Sequence, residues 1–247
     1  MSESKQQSLP PGYLLEEFEI IRVLGSGGFG ITYLAHDQSL DREVVIKENL
    51  PLFAFRDPST STVHPKSAVG EDKDLFEWSL ESFVREARTL AKFDHPNIVK
   101  ILRIFHANNT AYFVMPYVQG ETFSEWITER KKAGRTFAEE ELGALLLPLL
   151  EALDILHGQH VYHRDIKPGN VLVTSRGTPM LIDFGAARQM VSVRSHTVVE
   201  SPGFTPFEQL QSRGNVGPWS DLYGLAATFY KVLTLSLIHI SEPTRPY

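Results

Sequence analysis

The residues with the clearest chemical potential stand in one octapeptide, His163-Arg164-Asp165-Ile166-Lys167-Pro168-Gly169-Asn170. A carboxylate such as Asp165 can accept a proton from a hydroxyl or orient that hydroxyl for attack. Lys167, two residues on, can neutralise a transferring phosphoryl group, and Asn170 can lend an amide oxygen to a hard cation. A polar cluster between apolar runs could also be a plain surface turn. That reading needs this order of residues to arise by chance, at odds below about one in a hundred.

Three further features can serve the same chemistry. Asp183-Phe184-Gly185 follows the apolar run Met180-Leu181-Ile182, which puts an acid at a strand end, where a cation ligand would sit. As a tripeptide it is also a common turn. Gly25-Ser26-Gly27-Gly28-Phe29-Gly30 lets backbone amides approach phosphate oxygens without Cβ clashes. A strand pattern follows it rather than a helix, and no Gly-Lys-Ser/Thr is present, so neither a Rossmann nor a Walker loop fits. Lys47 ends the apolar run 44–47, where its charge needs a partner. Glu86 is the candidate partner, one turn from Phe83 and Leu90 on a helical pattern. Taken singly, Lys47 reads equally well as a snorkelling edge lysine and Glu86 as a solvated helix residue.

The elements that must position these groups fall into two halves. Strand-like runs at 18–24, 31–35 and 44–47 precede a Pro-, Ser- and Thr-containing stretch at 49–74 that reads as a long loop or insertion. Apolar spacing predicts a helix over 75–93, then strands at 98–105 and 111–118 joined by an Asn108-Asn109 turn. From Thr122 the pattern is helical, with a strong apolar helix over 137–158 that Pro148 should bend or limit. Short strands at 171–174 and 180–182 and a helix over 219–233 complete it. A strand-rich first half and a helix-rich second half define an α+β chain with two segregated parts.

The totals narrow the function classes. The chain has 247 residues, 42% hydrophobic and 22% charged, enough for a sizeable core. A formal charge of −6 gives no bulk attraction to nucleic acid or anionic lipid. Cysteine is absent, which excludes disulfides, thiol catalysis and cysteine-bound zinc. No signal core or membrane-spanning run is visible.

The four motifs, in this order along one chain, resemble the eukaryotic-like (Hanks-type) protein kinase family, from about residue 18 to 234. The resemblance implies a bilobal α+β fold, with a β-rich N-lobe bearing one regulatory helix and a helical C-lobe. It implies domains at 18–118 (N-lobe and hinge) and 119–234 (partial C-lobe), after an N-terminal linker at 1–17. By it, Gly25, Gly27 and Gly30 cover the phosphates of ATP, and Lys47 holds the α- and β-phosphates while pairing with Glu86. Asp165 is the catalytic base, and Asn170 and Asp183 hold Mg²⁺, or Mn²⁺ in its place. Lys167 is the serine/threonine-type mark. Leu24, Thr32, Val45 and Leu172 would enclose the adenine, with Met115 as gatekeeper and Pro116, Tyr117 and Val118 as hinge. Val45 stands where the family usually has alanine and Thr32 where it usually has valine, which makes this pocket tighter and more polar.

Residues 183–208 resemble the activation segment, and Ser201 falls where the family places a hydroxyl that meets the catalytic loop. Thr197, then Ser195, are the candidate phosphosites opposite Arg164. The ending Pro206-Phe207-Glu208, with the insertion after Lys47, resembles a bacterial branch of the family. Asp221 resembles the aspartate that braces the catalytic loop. The expected activity is transfer of the ATP γ-phosphate to serine or threonine hydroxyls of proteins, autophosphorylation included. The alternative is a non-catalytic nucleotide-binding or scaffold module. The partners implied are ATP and a protein substrate, in the cytoplasm, with any membrane anchor beyond residue 247. The string from Leu235 to Tyr247 resembles the translation of a sequencing adapter, so the natural frame is expected to be cut at about Thr234 and the chain to be poorly soluble and weakly active or inactive.

Overall fold

The computed structural model describes residues 7–28, 30–67, 69–135, 137–184, 201, 203–211 and 214–234. Gly185, Ser195, Thr197 and the 235–247 string lie outside the described residues. Two compact units divide the rest: 7–94 with 99–118, and 95–98 with the described residues from 119 onward.

In the first unit, period-two sequences build a six-stranded antiparallel sheet. Its strands are β1 (Leu14–Leu15), β2 (Phe18–Gly27), β3 (Gly30–Asp37), β4 (Arg42–Asn49), β7 (Arg103–Ala107) and β8 (Thr110–Pro116), in the order β1-β2-β3-β4-β8-β7. Directly opposed residues share a face, so the register aligns Gly25, Thr32, Lys47 and Phe113 in one row across four strands. Leu34, Val45 and Met115 form the next row of the same face. Helix α1 (Glu71–Leu90) meets this face through Phe83, whose ring stacks on Phe113 with centroids 4.8 Å apart. Three acids in its first turn, Glu71, Asp72 and Asp74, complement the helix dipole and carry the start four residues ahead of the expected position.

The alternate residues Tyr33, Val44, Ile46, Tyr112 and Val114 join the core cluster of this unit, together with Leu9, Leu15, Ala54 and Val63. Two expectations change here. Leu9 and Leu15 are fully buried, so the stretch expected to be a linker packs from Leu9 onward. The expected insertion contains a hairpin, β5 (Ala54–Arg56) with β6 (Val63–Pro65). The Asn108-Asn109 turn forms as expected, with both residues at positive φ, 50° and 57°.

In the second unit, β9 (Gly120–Thr122), β10 (Val171–Thr174) and β11 (Pro179–Leu181) make a small sheet in the order β11-β10-β9. Ile98, expected in a long strand, instead bridges to Leu181, because Asn97 bonds Pro179 O through its side chain and Leu181 N through its carbonyl. Helix α2 (Phe123–Lys132) starts at a capping box in which Thr122 and Glu125 satisfy each other's backbone amides. Helix α3 (Glu139–Gly158) runs through Pro148. Ala144, whose carbonyl loses its partner there, lies on the exposed side, where water can replace the missing donor. A short α4 (Phe207–Leu210) and α5 (Pro218–Thr234) follow. Leu149, Leu153, Leu156, Phe123 and Leu225 are buried in this unit, and Phe123 meets Phe229 edge to face at 5.5 Å.

Candidate active site

The octapeptide is held from behind by the first turn of α5. Asp221 is buried, and its Oδ1 accepts from Arg164 N at 2.7 Å. Its Oδ2 accepts from His163 N at 2.9 Å and from His157 Nε2 at 2.8 Å. Gly224, one turn on, lets the helix come close, since a Cβ there would lie 2.9 Å from Ile166 O. Clamped this way, Arg164 adopts φ +65°, and Asp183, whose carbonyl meets Asn170, adopts φ +58°. Such values are costly for residues with a Cβ and persist where surroundings over-determine them.

His163 fixes the orientation of Asp165. A carbonyl can only accept, so Nε2, 3.1 Å from Ile182 O, carries the proton. Nδ1 then accepts from Asp165 N at 3.3 Å. Burial holds the imidazole below its ordinary range, against the opposing pull of Asp221 and Asp165. Its ring packs on Phe184, with centroids 4.3 Å apart.

Three side chains converge on the Asp165 carboxylate. Asn170 Nδ2 donates to Oδ2 at 2.8 Å and to Asp165 O at 2.8 Å. Lys167 Nζ lies 3.0 Å from Oδ2 and donates to Ser201 Oγ at 3.0 Å, and Ser201 in turn donates to Oδ1 at 3.1 Å. Asp165, Lys167, Asn170 and Asp183, named from sequence, are thus gathered, with Asn170 Nδ2 reaching Asp183 O at 3.3 Å. The expected contact of Ser201 and the expected brace by Asp221 are both present. The structural role of His163, and that of His157 in the last turn of α3, were missed. His163 stood in the motif but no spacing rule assigned it a task.

The donor set suits magnesium. The amide nitrogen of Asn170 is committed to Asp165, which turns its Oδ1 to a different task, and Asp183 adds a carboxylate. Among the described residues no group of three or more His, Asp or Glu gathers as a metal cage. An ion that keeps waters and phosphate oxygens as ligands needs none.

The remaining expected residues belong to the first unit, apart from Leu172 on β10. Lys47 and Val45 are half-buried on one face of β4, and Lys47 Nζ stands 5.6 Å from the Phe113 ring. Glu86 is buried three residues beyond Phe83, the residue stacked on Phe113, which brings it to the same face. Thr32 is half-buried, Met115 is buried, Pro116 and Val118 are half-buried, and Leu24, Gly25 and Gly27 are exposed. Leu172 is half-buried. Gly30 has a packing reason to be glycine, since a Cβ there would lie 1.9 Å from Glu48 O, whereas a Cβ at Gly25 or Gly27 would meet nothing within 4 Å. Close backbone approach within the sheet fixes one glycine; the other two face open space.

A strand-rich unit and a helix-rich unit carrying these motifs in this order make an α+β chain of the class expected from the sequence. The family model for the protein kinase domain matches residues 18–244, and the chain belongs to that family. Within it, the chain stands with bacterial serine/threonine kinases. It is 31% identical over 230 residues to the serine/threonine-protein kinase PknA of a Nostoc species, covering 88% of this chain and 37% of that protein. It is 32% identical over 220 residues to PrkC of Bacillus subtilis, covering 88% of this chain and 30% of the relative. The chain therefore spans well under half the length of these relatives. The solved apo form of PpkA-294 is 35% identical, with a TM-score of 0.82 over 94% of this chain and 80% of that one. The PknI kinase domain of Mycobacterium tuberculosis, 22% identical with a TM-score of 0.68 over 97% of this chain and 81% of that one, shares the fold.

Proposed function

We propose that this chain transfers the γ-phosphate of ATP to serine and threonine hydroxyls of proteins, itself included, with magnesium held by Asn170 and Asp183. The observation that carries the reading is the Asp165 carboxylate gathered by Asn170, Lys167 and Ser201. Asp165 accepts or orients the proton of the incoming hydroxyl. The hydroxyl oxygen bonds to the γ-phosphorus, and the bond to the bridging oxygen breaks, with its electron pair leaving on ADP. Lys167 faces the charge on the transferring oxygens, and Ser201 keeps Lys167 and Asp165 in one arrangement. Magnesium, when bound, supplies charge neutralisation for the phosphates.

In the first unit, Lys47 holds the α- and β-phosphates with Glu86 as its partner, and Gly25, Gly27 and Gly30 let backbone amides reach phosphate oxygens. Leu24, Thr32, Val45 and Met115 take the adenine, while Pro116 O and Val118 N read its edge. A proline at 116 is compatible because only its acceptor is used. Among the described residues no helix is long and apolar enough to cross a membrane. The catalytic domain is assigned to the cytoplasm, where ATP is present.

The test is phosphate incorporation into the chain and into a basic protein acceptor, with Asp183→Asn as comparison. Magnesium-dependent transfer in the parent chain and its loss in the variant support the reading. Equal background incorporation in both chains, together with retained ATP binding, returns the fold to a non-catalytic nucleotide module.

A further inference from the structure

The glycine-rich turn is tied to a piece of chain whose composition carries no hint of a role. Leu52 N donates to Gly28 O at 3.1 Å, and Gly28 lies in the turn joining β2 to β3. Leu52 is 60% exposed, and although its Cδ1 lies 3.4 Å from where a Cβ on Gly28 would stand, burial of its own apolar surface does not set its place. The β5–β6 hairpin does. Lys66 N donates to Phe53 O at 2.9 Å, closing the base of the hairpin, and Val63 N donates to Asn108 O at 2.8 Å. Asn109 Nδ2 holds Val63 O at 2.8 Å, fastening β6 to the β7–β8 turn.

Arg56, at the end of β5, fastens the other side. Its Nε donates to Gln7 O at 2.8 Å, one terminal nitrogen donates to Ser61 O at 2.6 Å, and the other donates to the Glu48 carboxylate. Glu48 is the neighbour of Lys47 in β4, and alternation turns it to the opposite face. One guanidinium thus joins the N-terminal segment, the insertion and the strand that carries Lys47. A few residues away, the insertion's own backbone holds the glycine-rich turn.

We infer that the hairpin spanning 50–66 is a strut that positions the glycine-rich turn for ATP phosphates, with the Leu52 amide as its contact and Arg56 as its anchor. This inference rests on reading that turn as the phosphate-binding loop. Both groups act through the turn and touch no reacting atom, so they are positioning groups. Releasing the strut leaves Gly28 held by the β2–β3 ladder, and ATP must then order the loop as it binds. The loss appears as uniform binding, in KM for ATP rather than in kcat.

The test uses the whole chain with MgATP and two substitutions at one exposed position. Leu52→Pro deletes the amide hydrogen, and Leu52→Ala keeps it. The expected result is a rise of about fivefold in KM for ATP in the proline variant, the size of one lost hydrogen bond. Its kcat stays within about twofold. Amide hydrogen exchange over residues 25–30 quickens in the proline variant and stays at the parent rate in the alanine variant. Parent-like KM and exchange in Leu52→Pro overturn the inference. If that variant melts early, the pair Glu48→Gln with Arg56→Met removes both buried charges and is read identically: raised KM and faster exchange support the strut, and unchanged values overturn it. If the parent chain neither binds ATP nor transfers phosphate, the nucleotide-site reading has failed, and the exchange rates alone decide the strut.

Discussion

Two carboxylates in this molecule, Asp165 and Glu48, each collect three side-chain donors, yet they serve opposite ends. Asp165 receives Asn170, Lys167 and Ser201. Glu48 receives Tyr33 at 2.7 Å, Tyr112 at 2.5 Å and the Arg56 guanidinium. Glu48 sits in regular strand with its side chain 0% exposed, while the Asp165 side chain keeps 8% of its surface open, and Lys167 keeps 25%. The backbone beside Asp165 is strained at Arg164, and that beside Glu48 is not. On the proposed function, the same number of donors serves chemistry in one place and architecture in the other. Access and a loop forced into a rare conformation separate the two, not the count of hydrogen bonds.

The largest effects break the comparison cleanly if it is wrong. Asp165→Asn preserves shape and removes the acceptor of a proton. Phosphate transfer should fall by about 10³-fold, within the range of general acid–base contributions, while the melting temperature stays near that of the parent chain. Initial rates of radiolabel incorporation measure it. A variant that keeps even a tenth of the parent rate removes Asp165 from the chemistry.

Arg56→Ala should do the reverse. It strands the Glu48 charge in the core, at a cost of about 3–5 kcal/mol in urea unfolding. Burial works against the Arg56 charge, and Glu48 more than offsets it, holding the guanidinium above its ordinary range. A loss under about 1 kcal/mol would show that water reaches this pair and that it belongs with surface bridges.

The two sites were unequally legible in the sequence. Asp165, Lys167 and Asn170 could be read because they share one loop, and local spacing records that, whereas Ser201, distant along the chain, came from the family resemblance. The Glu48 network could not. Its members lie at 33, 48, 56 and 112, and Glu48 next to Lys47 reads as the polar end of a strand. The core of the same unit takes in Leu9, Ala54 and Val63, which arrive from segments whose Pro, Ser and Thr content signals loop. Such a segment becomes core through contacts that are distant in sequence. Pro148 lies inside its helix rather than ending it, and what a helix tolerates there depends on which side meets solvent. The strands around Lys47 were foreseen because alternation is itself a local signal.

Removing one donor from each network sharpens the contrast at a smaller scale. Tyr112→Phe deletes a hydroxyl that bonds a buried carboxylate and should cost about 1.5–3 kcal/mol of stability. Its turnover should match the parent chain at a temperature where both are folded. Ser201→Ala should leave the urea midpoint nearly unchanged and lower kcat by about tenfold, because Lys167 and Asp165 lose the hydroxyl that joins them. Paired measurement of midpoint and kcat on both variants is the check. The comparison collapses if both variants lose stability and rate in equal proportion.

The smallest effect is one of pH, and it separates the networks without mutation. Around Glu48, burial and the neighbouring carboxylate raise the Tyr33 and Tyr112 hydroxyls, and Arg56 is held high, so these three donors keep their protons across neutral pH. Around Asp165, the orienting group is a buried neutral histidine whose folded-state value lies below the ordinary 6.5. The unfolded chain therefore binds the extra proton first. Stability from this group is complete above about pH 6.5 and falls as pH drops below it, by at most about 1.4 kcal/mol per unit, until the folded value is reached. Protonation also puts a hydrogen on Nδ1, the atom that accepts from Asp165 N, so the loop should loosen before the fold does. Urea midpoints at pH 7.5 and 5.5, with hydrogen exchange over residues 163–170, test both statements. His163→Gln should flatten the midpoint difference relative to the parent chain. Faster exchange at low pH should appear at 163–170 and be absent at 45–49, because the charge state changes in one network and not in the other.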